Sequence, residues 1–122
     1  MNEASLLGRR ILLVEDEYFI ADAMQRGLED VGAHVLGPAA SVKDALALLA
    51  GEAVDGAILD VSLIDEGVYP VAEALTARGV PFVFATGYSA ADLPAAWRHI
   101  ARYEKPVDAA VIARALAAAD AG

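Results

Sequence analysis

A doubly wound parallel α/β sheet, with helices on both faces, is the fold class this sequence predicts. Short, continuous apolar runs alternate with longer segments of helical periodicity, the alternation that builds βαβ units. The runs are not interrupted by polar residues, as is usual for strands buried on both faces. Glycine, proline or acidic residues follow each run and stop it. With 122 residues, 57% of them hydrophobic, the chain makes one domain with a real core, spanning 1–122.

Taken in order, Ile11–Val14 is the first strand, interrupted by Glu15, Asp16 and Glu17. Residues 1–8 before it are expected to be a flexible extension. From Tyr18 to Val31, the positions Phe19, Ile20, Ala23, Met24, Leu28 and Val31 recur at helical spacing, and Gly32 caps the helix. Val35-Leu36 is a second, weaker strand, ended by Gly37-Pro38. Ser41, with Asp44 three residues later, opens a second helix in the manner of a capping box. It runs through Val42, Ala45, Leu46 and Leu49 to Gly51. Ala57–Leu59 is the third strand and ends on Asp60; residues 62–67 read as a loop. Val71–Arg78 is the third helix, with Pro70 tolerated in its first turn and Gly79 as its cap. Phe82–Ala85 is the fourth strand, ended by Thr86-Gly87. Pro94 prevents one uninterrupted helix between Ser89 and Ile100, so short turns are expected there. Ala101–Tyr103 is the fifth strand. Asp108 caps a last helix whose stripe is Val111, Ile112, Ala115, Leu116 and Ala119. Counting the 89–100 segment, five strands alternate with five helices.

The charge balance narrows the function classes. Eighteen acidic residues against 9 basic ones leave a net charge of −9. That argues against a nucleic-acid-binding module, which needs a basic face, and against an anionic membrane surface. No apolar run approaches the ~18 residues of a spanning helix, and Met1–Arg10 does not read as a secretory leader. A soluble, cytoplasmic domain is expected. The absence of cysteine excludes disulfides, thiolate zinc sites and a cysteine nucleophile.

Ligands of a doubly wound sheet bind beyond the carboxyl ends of its strands. Those ends carry Glu15 and Asp16 after the first strand, Asp60 after the third, Thr86 after the fourth and Lys105 after the fifth. Carboxylates held close repel one another, and a divalent cation relieves the repulsion. Hard oxygen ligands suit Mg²⁺, commonly held by one or two carboxylates and by phosphate oxygens. Glu15, Asp16 and Asp60 with Lys105 sum to −2, which one Mg²⁺ neutralises. Asp60 is then a nucleophile for a phosphoryl group, forming an acyl phosphate. Lys105 and Thr86 would meet the phosphoryl oxygens.

Together, Leu13–Glu17, Ile58–Asp60, Phe84–Gly87 and Lys105-Pro106 resemble the receiver domains of two-component response regulators over essentially the whole chain. The resemblance implies a flavodoxin-like (CheY-like) fold of strand order 2-1-3-4-5. It implies that Asp60 is the phosphoacceptor, Thr86 the switch hydroxyl and Lys105 the phosphate-binding lysine. Asp16 would bind Mg²⁺ directly, Glu15 largely through water, and the Ser62 backbone carbonyl would be a further ligand. The Lys105-Pro106 bond would be cis. Pro81–Tyr88 is similar to the signature of the FATGUY receivers, mostly single-domain regulators that work with HWE and HisKA2 histidine kinases; Val68–Ala72 and Asp60–Ile64 agree. A histidine kinase or histidine phosphotransfer protein is the implied donor, and a downstream protein the implied output. At the position three before the lysine, where many receivers carry a switch aromatic, this chain has Arg102. The adjacent Tyr103 should face the other side of the sheet.

Other readings compete. Asp60 as a turn residue, Glu15 as a solvated helix-start acid and Lys105 as a surface lysine are the bland ones. An aspartyl-nucleophile phosphatase wants a second acid two residues after the nucleophile, where Ser62 stands. A non-phosphorylated interaction module, or a receiver within a larger regulator or hybrid kinase, would keep the same fold. Trp97 and Tyr88 read as packed against the sheet edge or as partner contacts; His34 and His99 read as structural or exposed.

Overall fold

The computed structural model describes residues 6–61, 67–87, 93–105 and 107–121, with 117–121 as backbone only. Five parallel strands, β1 (Arg10–Val14), β2 (His34–Ala39), β3 (Gly56–Asp60), β4 (Phe82–Thr86) and β5 (Arg102–Glu104), make one sheet of order β2-β1-β3-β4-β5. This is a flavodoxin-like fold. The helices are α1 (Tyr18–Asp30), α2 (Val42–Gly51), α3 (Tyr69–Ala77) and α4 (Ala109–Ala121). Between β4 and β5 the described residues form one 3₁₀ turn, Ala95–Trp97, directly after Pro94, in keeping with the short turns expected where proline interrupts a helix. The described residues thus hold four α-helices.

The two faces of the sheet follow the alternation of side chains along each strand. Leu12, Leu59, Phe82 and Phe84 pack on one side with Ala45 and Leu49 of α2 and Val71 and Leu75 of α3. Ile11, Leu13, Ile58 and Val83 pack on the other with Met24 and Leu28 of α1 and Ile112 and Leu116 of α4. All five residues of β3 are buried, and so are all five of β4. Central strands covered on both faces need apolar residues at every position, which is why those runs were continuous.

The expected caps form. Ser41 Oγ accepts from Asp44 N–H at 3.1 Å, and Asp108 Oδ1 accepts from Ala110 N–H at 2.8 Å. Gly32 and Gly79 end their helices at φ 95° and 70°, backbone that a side chain would strain.

Two expectations are corrected. Strand β2 does not stop before Gly37-Pro38 but continues through them to Ala39, which pairs with Val14. Proline is admissible because β2 is an edge strand and one side of its backbone needs no ladder partner. Gly37 takes φ 101°, Pro38 follows a cis bond, and the register shifts between Leu12 and Val14. The second correction concerns residues 1–8. Leu6 to Gly8 are not a loose extension: Leu6 is 1% exposed in the α1/α4-side core. Its N–H donates to Val31 O at 2.8 Å, and Gly8 N–H donates to Gly32 O at 3.0 Å. Residues 1–5 lie outside the described residues. Leu6→Ala is expected to cost about 2–5 kcal/mol, the range for truncating a buried leucine. Denaturant unfolding measures it; an unchanged midpoint would show the segment to be dispensable.

Candidate functional site

The site gathers at the carboxyl edge of β1, β3, β4 and β5. Asp60 ends β3 opposite Ala85, one residue before Thr86. Glu15 follows β1 and extends its ladder, donating its N–H to Ala39 O at 2.9 Å. Its carboxylate then turns back over the start of α1, where Oε2 accepts from Glu17 N–H at 3.1 Å. An anion there is favoured by the unpaired N–H groups of the first helical turn. Lys105 follows β5, held by its N–H donating to Thr86 O at 2.7 Å.

These backbones bring together groups far apart in sequence. Lys105 Nζ lies 3.0 and 3.1 Å from the two Glu15 carboxylate oxygens and 3.3 Å from Asp60 Oδ2. Glu15 is 2% exposed, Asp60 1% and Thr86 6%. Asp16 is half-buried at the rim. Of the predicted site residues, Glu15, Asp16, Asp60, Thr86 and Lys105 all reach this one edge. Ser62 and the Lys105-Pro106 bond lie outside the described residues, as do Tyr88 and the loop acids Asp65 and Glu66.

The bidentate Glu15–Lys105 pair was not legible in the sequence. Ninety positions separate the two residues, and neither motif names the other. Its electrostatics are asymmetric. Burial pushes the Glu15 carboxyl above its ordinary 4.5; the Glu17 N–H and the Lys105 ammonium only partly offset this, and the Asp60 charge adds to the rise. For Lys105, burial acts to lower the value, but the Glu15 hydrogen bond and the Asp60 charge outweigh it and raise the group above 10.5. Lys105 therefore stays cationic at physiological pH.

The donor set fits a hard cation. Glu15, Asp16 and Asp60 each offer a carboxylate oxygen, all within 4.8 Å of one another. Oxygen-only donors with an open, partly solvated rim suit Mg²⁺. The expected pH dependence follows from Glu15. Its folded-state value is raised, so its stabilising contribution is complete below 4.5 and is lost as pH rises through the folded value. The unfolding midpoint of metal-free protein should fall across that window. Stabilisation by Mg²⁺ should grow across it, since the metal competes with the proton. Both trends should flatten in Glu15→Gln, measured by thermal unfolding with and without Mg²⁺.

Tyr103 pairs with Ala85 and packs on the α1/α4 face, whereas Arg102 pairs with Phe84 and is exposed. The opposite facing of these two residues agrees with the strand alternation. Among the described residues, no helix is long and apolar enough to cross a membrane.

No protein-family model matches the chain, and no curated protein does. Solved structures do. SdrG from Sphingomonas melonis Fr1 is 40% identical over 95% of this chain and 97% of that one, with a TM-score of 0.73. A BeF3-activated conformation of SdrG, described from Pseudomonas melonis Fr1, is 41% identical over 89% of this chain and 93% of that one, with a TM-score of 0.71. A CheY-like response regulator receiver domain protein from Methanospirillum hungatei JF-1 is 26% identical, with 83% and 84% of the two chains covered and a TM-score of 0.68. The response regulator PhyR from Brucella abortus shares the fold at 24% identity and a TM-score of 0.80; 98% of this chain aligns with 52% of that one. The sheet order, the acidic edge and these likenesses agree, and the chain belongs to the CheY-like receiver domains of response regulators.

Proposed function

We propose that Asp60 accepts a phosphoryl group from a phosphohistidine and that the modified chain changes its binding to a downstream protein. One observation carries this reading: a nearly fully buried carboxylate lies 3.3 Å from a buried ammonium and within 4.8 Å of two further carboxylate donors. A buried aspartate with a cation on one side and a metal-ready acid pair on the other is arranged for attack on an anion.

In the transfer, an Asp60 carboxylate oxygen attacks phosphorus and the phosphorus–nitrogen bond to the donor imidazole breaks. The electron pair stays on that nitrogen, which takes a proton from solvent, and Asp60 carries an acyl phosphate. Lys105 is already cationic and offsets charge on the phosphoryl oxygens without a proton transfer. The Thr86 hydroxyl, buried at the end of the neighbouring strand, donates to one of them. Glu15, Asp16, Asp60 and the Ser62 carbonyl would hold Mg²⁺, which when bound offsets the carboxylates and the incoming charge. The chain is a signalling switch of the cytoplasm, where kinases have ATP, and it assists only its own phosphorylation and dephosphorylation.

The subgroup reading rests on Pro81–Tyr88 and names HWE or HisKA2 kinases, or a histidine phosphotransfer protein, as donors. Identity to SdrG at 40%, and that protein's BeF3-activated conformation, support the phosphoacceptor role. The 52% coverage of PhyR favours one second reading, a receiver within a longer regulator. Incubation with Mg²⁺ and acetyl phosphate, followed by intact-mass measurement, tests the proposal. One phosphoryl adduct is expected on the native chain and none on Asp60→Asn; an unmodified native chain, or equal adducts on both, overturns it.

A further inference from the structure

We propose that a change at Asp60 reaches the surface through a two-ring stack, Tyr69 on Trp97, which joins the chain segment leaving Asp60 to the one leaving Thr86. The proposal rests on the phosphoacceptor reading of Asp60.

Tyr69 opens α3, at the far end of the connection that leaves β3 at Asp60. Trp97 closes the 3₁₀ turn on the connection that leaves β4 at Thr86. Their rings are stacked, with centroids 6.3 Å apart and planes 14° from parallel. Trp97 also lies edge-on to Phe82 at 6.1 Å and to Phe84 at 6.4 Å. Tyr69 is edge-on to Phe84 at 6.2 Å. Such offset and edge-on pairs attract through their ring quadrupoles beyond simple burial. Phe82, Phe84 and Thr86 alternate onto one face of β4, so the cluster begins next to the Thr86 side chain.

The 3₁₀ segment depends on this cluster. The backbone hydrogen bonds described for Trp97, Arg98 and Ile100 all end within 94–97, and Arg98 Nε donates to Leu93 O in the same segment. Ala95 and Ala96 are exposed. Leu93, at 2% exposure, the Trp97 ring and the partly buried Ile100 seat the segment on the α2/α3-side core. A segment bonded mainly to itself and held by few side chains opens more readily than a strand or long helix.

On β5, Arg102 is exposed and Tyr103 packs on the other face of the sheet from Thr86. Among the described residues, the rings on the Thr86 face are those of Phe82, Phe84, Tyr69 and Trp97. When Thr86 is drawn toward a modified Asp60, the end of β4 and the start of α3 shift together. The stack spans both, and in this proposal it opens as they shift.

Trp97 is the single tryptophan of the chain, so its emission reports the stack directly. The experiment is fluorescence of the full chain with Mg²⁺ and acetyl phosphate, with intact mass measured on the same samples. In the native protein, adduct formation should move Trp97 emission to longer wavelength, as the ring leaves the cluster for water. Tyr69→Leu should form the same adduct but lose the response, its emission already shifted before modification. Tyr69→Phe, which keeps a ring, should retain the native response, an outcome that simple loss of stability would not produce. Should Tyr69→Leu not fold, hydrogen exchange on the native protein decides: the amides of Trp97, Arg98 and Ile100 should exchange faster once Asp60 is modified. A fully modified native chain with unchanged emission and exchange overturns the coupling, as does a Tyr69→Leu response equal to the native one. A native chain that forms no adduct overturns the Asp60 reading itself and this coupling with it.

Discussion

Lys105→Met should lower the stability of metal-free protein by about 3–5 kcal/mol at neutral pH, the cost of removing one partner from a buried ion pair. The ammonium is 8% exposed and bridges two carboxylates that are each 1% exposed. Without it, Glu15 and Asp60 keep their mutual repulsion and lose the cation that lies against both. Methionine fills similar space, so the loss is electrostatic rather than a cavity. Two controls identify the cause. Acidification should narrow the deficit as Glu15 takes up a proton, because its value is already raised by burial. Mg²⁺ should narrow it too, by supplying the missing positive charge. Denaturant unfolding at two pH values, with and without Mg²⁺, measures all of this. A deficit insensitive to both pH and metal would show that Lys105 acts through packing alone.

The opposite sign is expected for Asp60→Asn. At an effective dielectric near 20, unit charges 4 Å apart interact by about 4 kcal/mol. Neutralising Asp60 removes repulsions with Glu15 and Asp16, each with a donor oxygen within 4.8 Å, and forfeits one attraction to Lys105 at 3.3 Å. Two repulsions outweigh one attraction, and the half-buried Asp16 reduces the margin through solvent screening. The net gain should be about 1–2 kcal/mol in metal-free protein. The same change should abolish the phosphoryl adduct and weaken Mg²⁺ binding, read by intact mass and calorimetry. Stability and function would then move in opposite directions at one residue, as expected where an acidic site is kept for its chemistry. A destabilised Asp60→Asn that still folds would place the Lys105 attraction above both repulsions.

Much of the fold was legible because its strands are covered on both faces. Burial on two sides demands continuous apolar runs at β1, β3 and β4, and such runs stand out from helices of amphipathic period. The edge strands were harder to read. β5, with two of its three residues exposed, carries little pattern, and β2 hides Gly37-Pro38 inside a strand. Proline usually marks a strand's end, but an edge position with positive φ at the preceding glycine lets the chain pass. Leu6 shows the same limit. Leu6 and Leu7 are an isolated apolar pair with no period, and only the fit of Leu6 under the α1–β2 turn shows that it, and not the exposed Leu7, is core.

The candidate site divides in the same way. Residue types alone named Glu15, Asp16, Asp60, Thr86 and Lys105, because a doubly wound sheet places its strand ends at one edge and these are the polar residues there. That inference needs order along the chain and nothing finer. Pairing at distances near 3 Å requires rotamers and burial, which no motif spells. The tertiary structure alone decided that Lys105 lies across both Glu15 and Asp60. It also decided that Tyr69 and Trp97 meet although 28 positions separate them. Sequence by itself determined the order of elements and the chemical character of the edge, since both are written in local periodicity and in the residue types at each strand end. Which charges touch and which rings stack was decided by packing, because those contacts join residues that only the closed sheet makes neighbours.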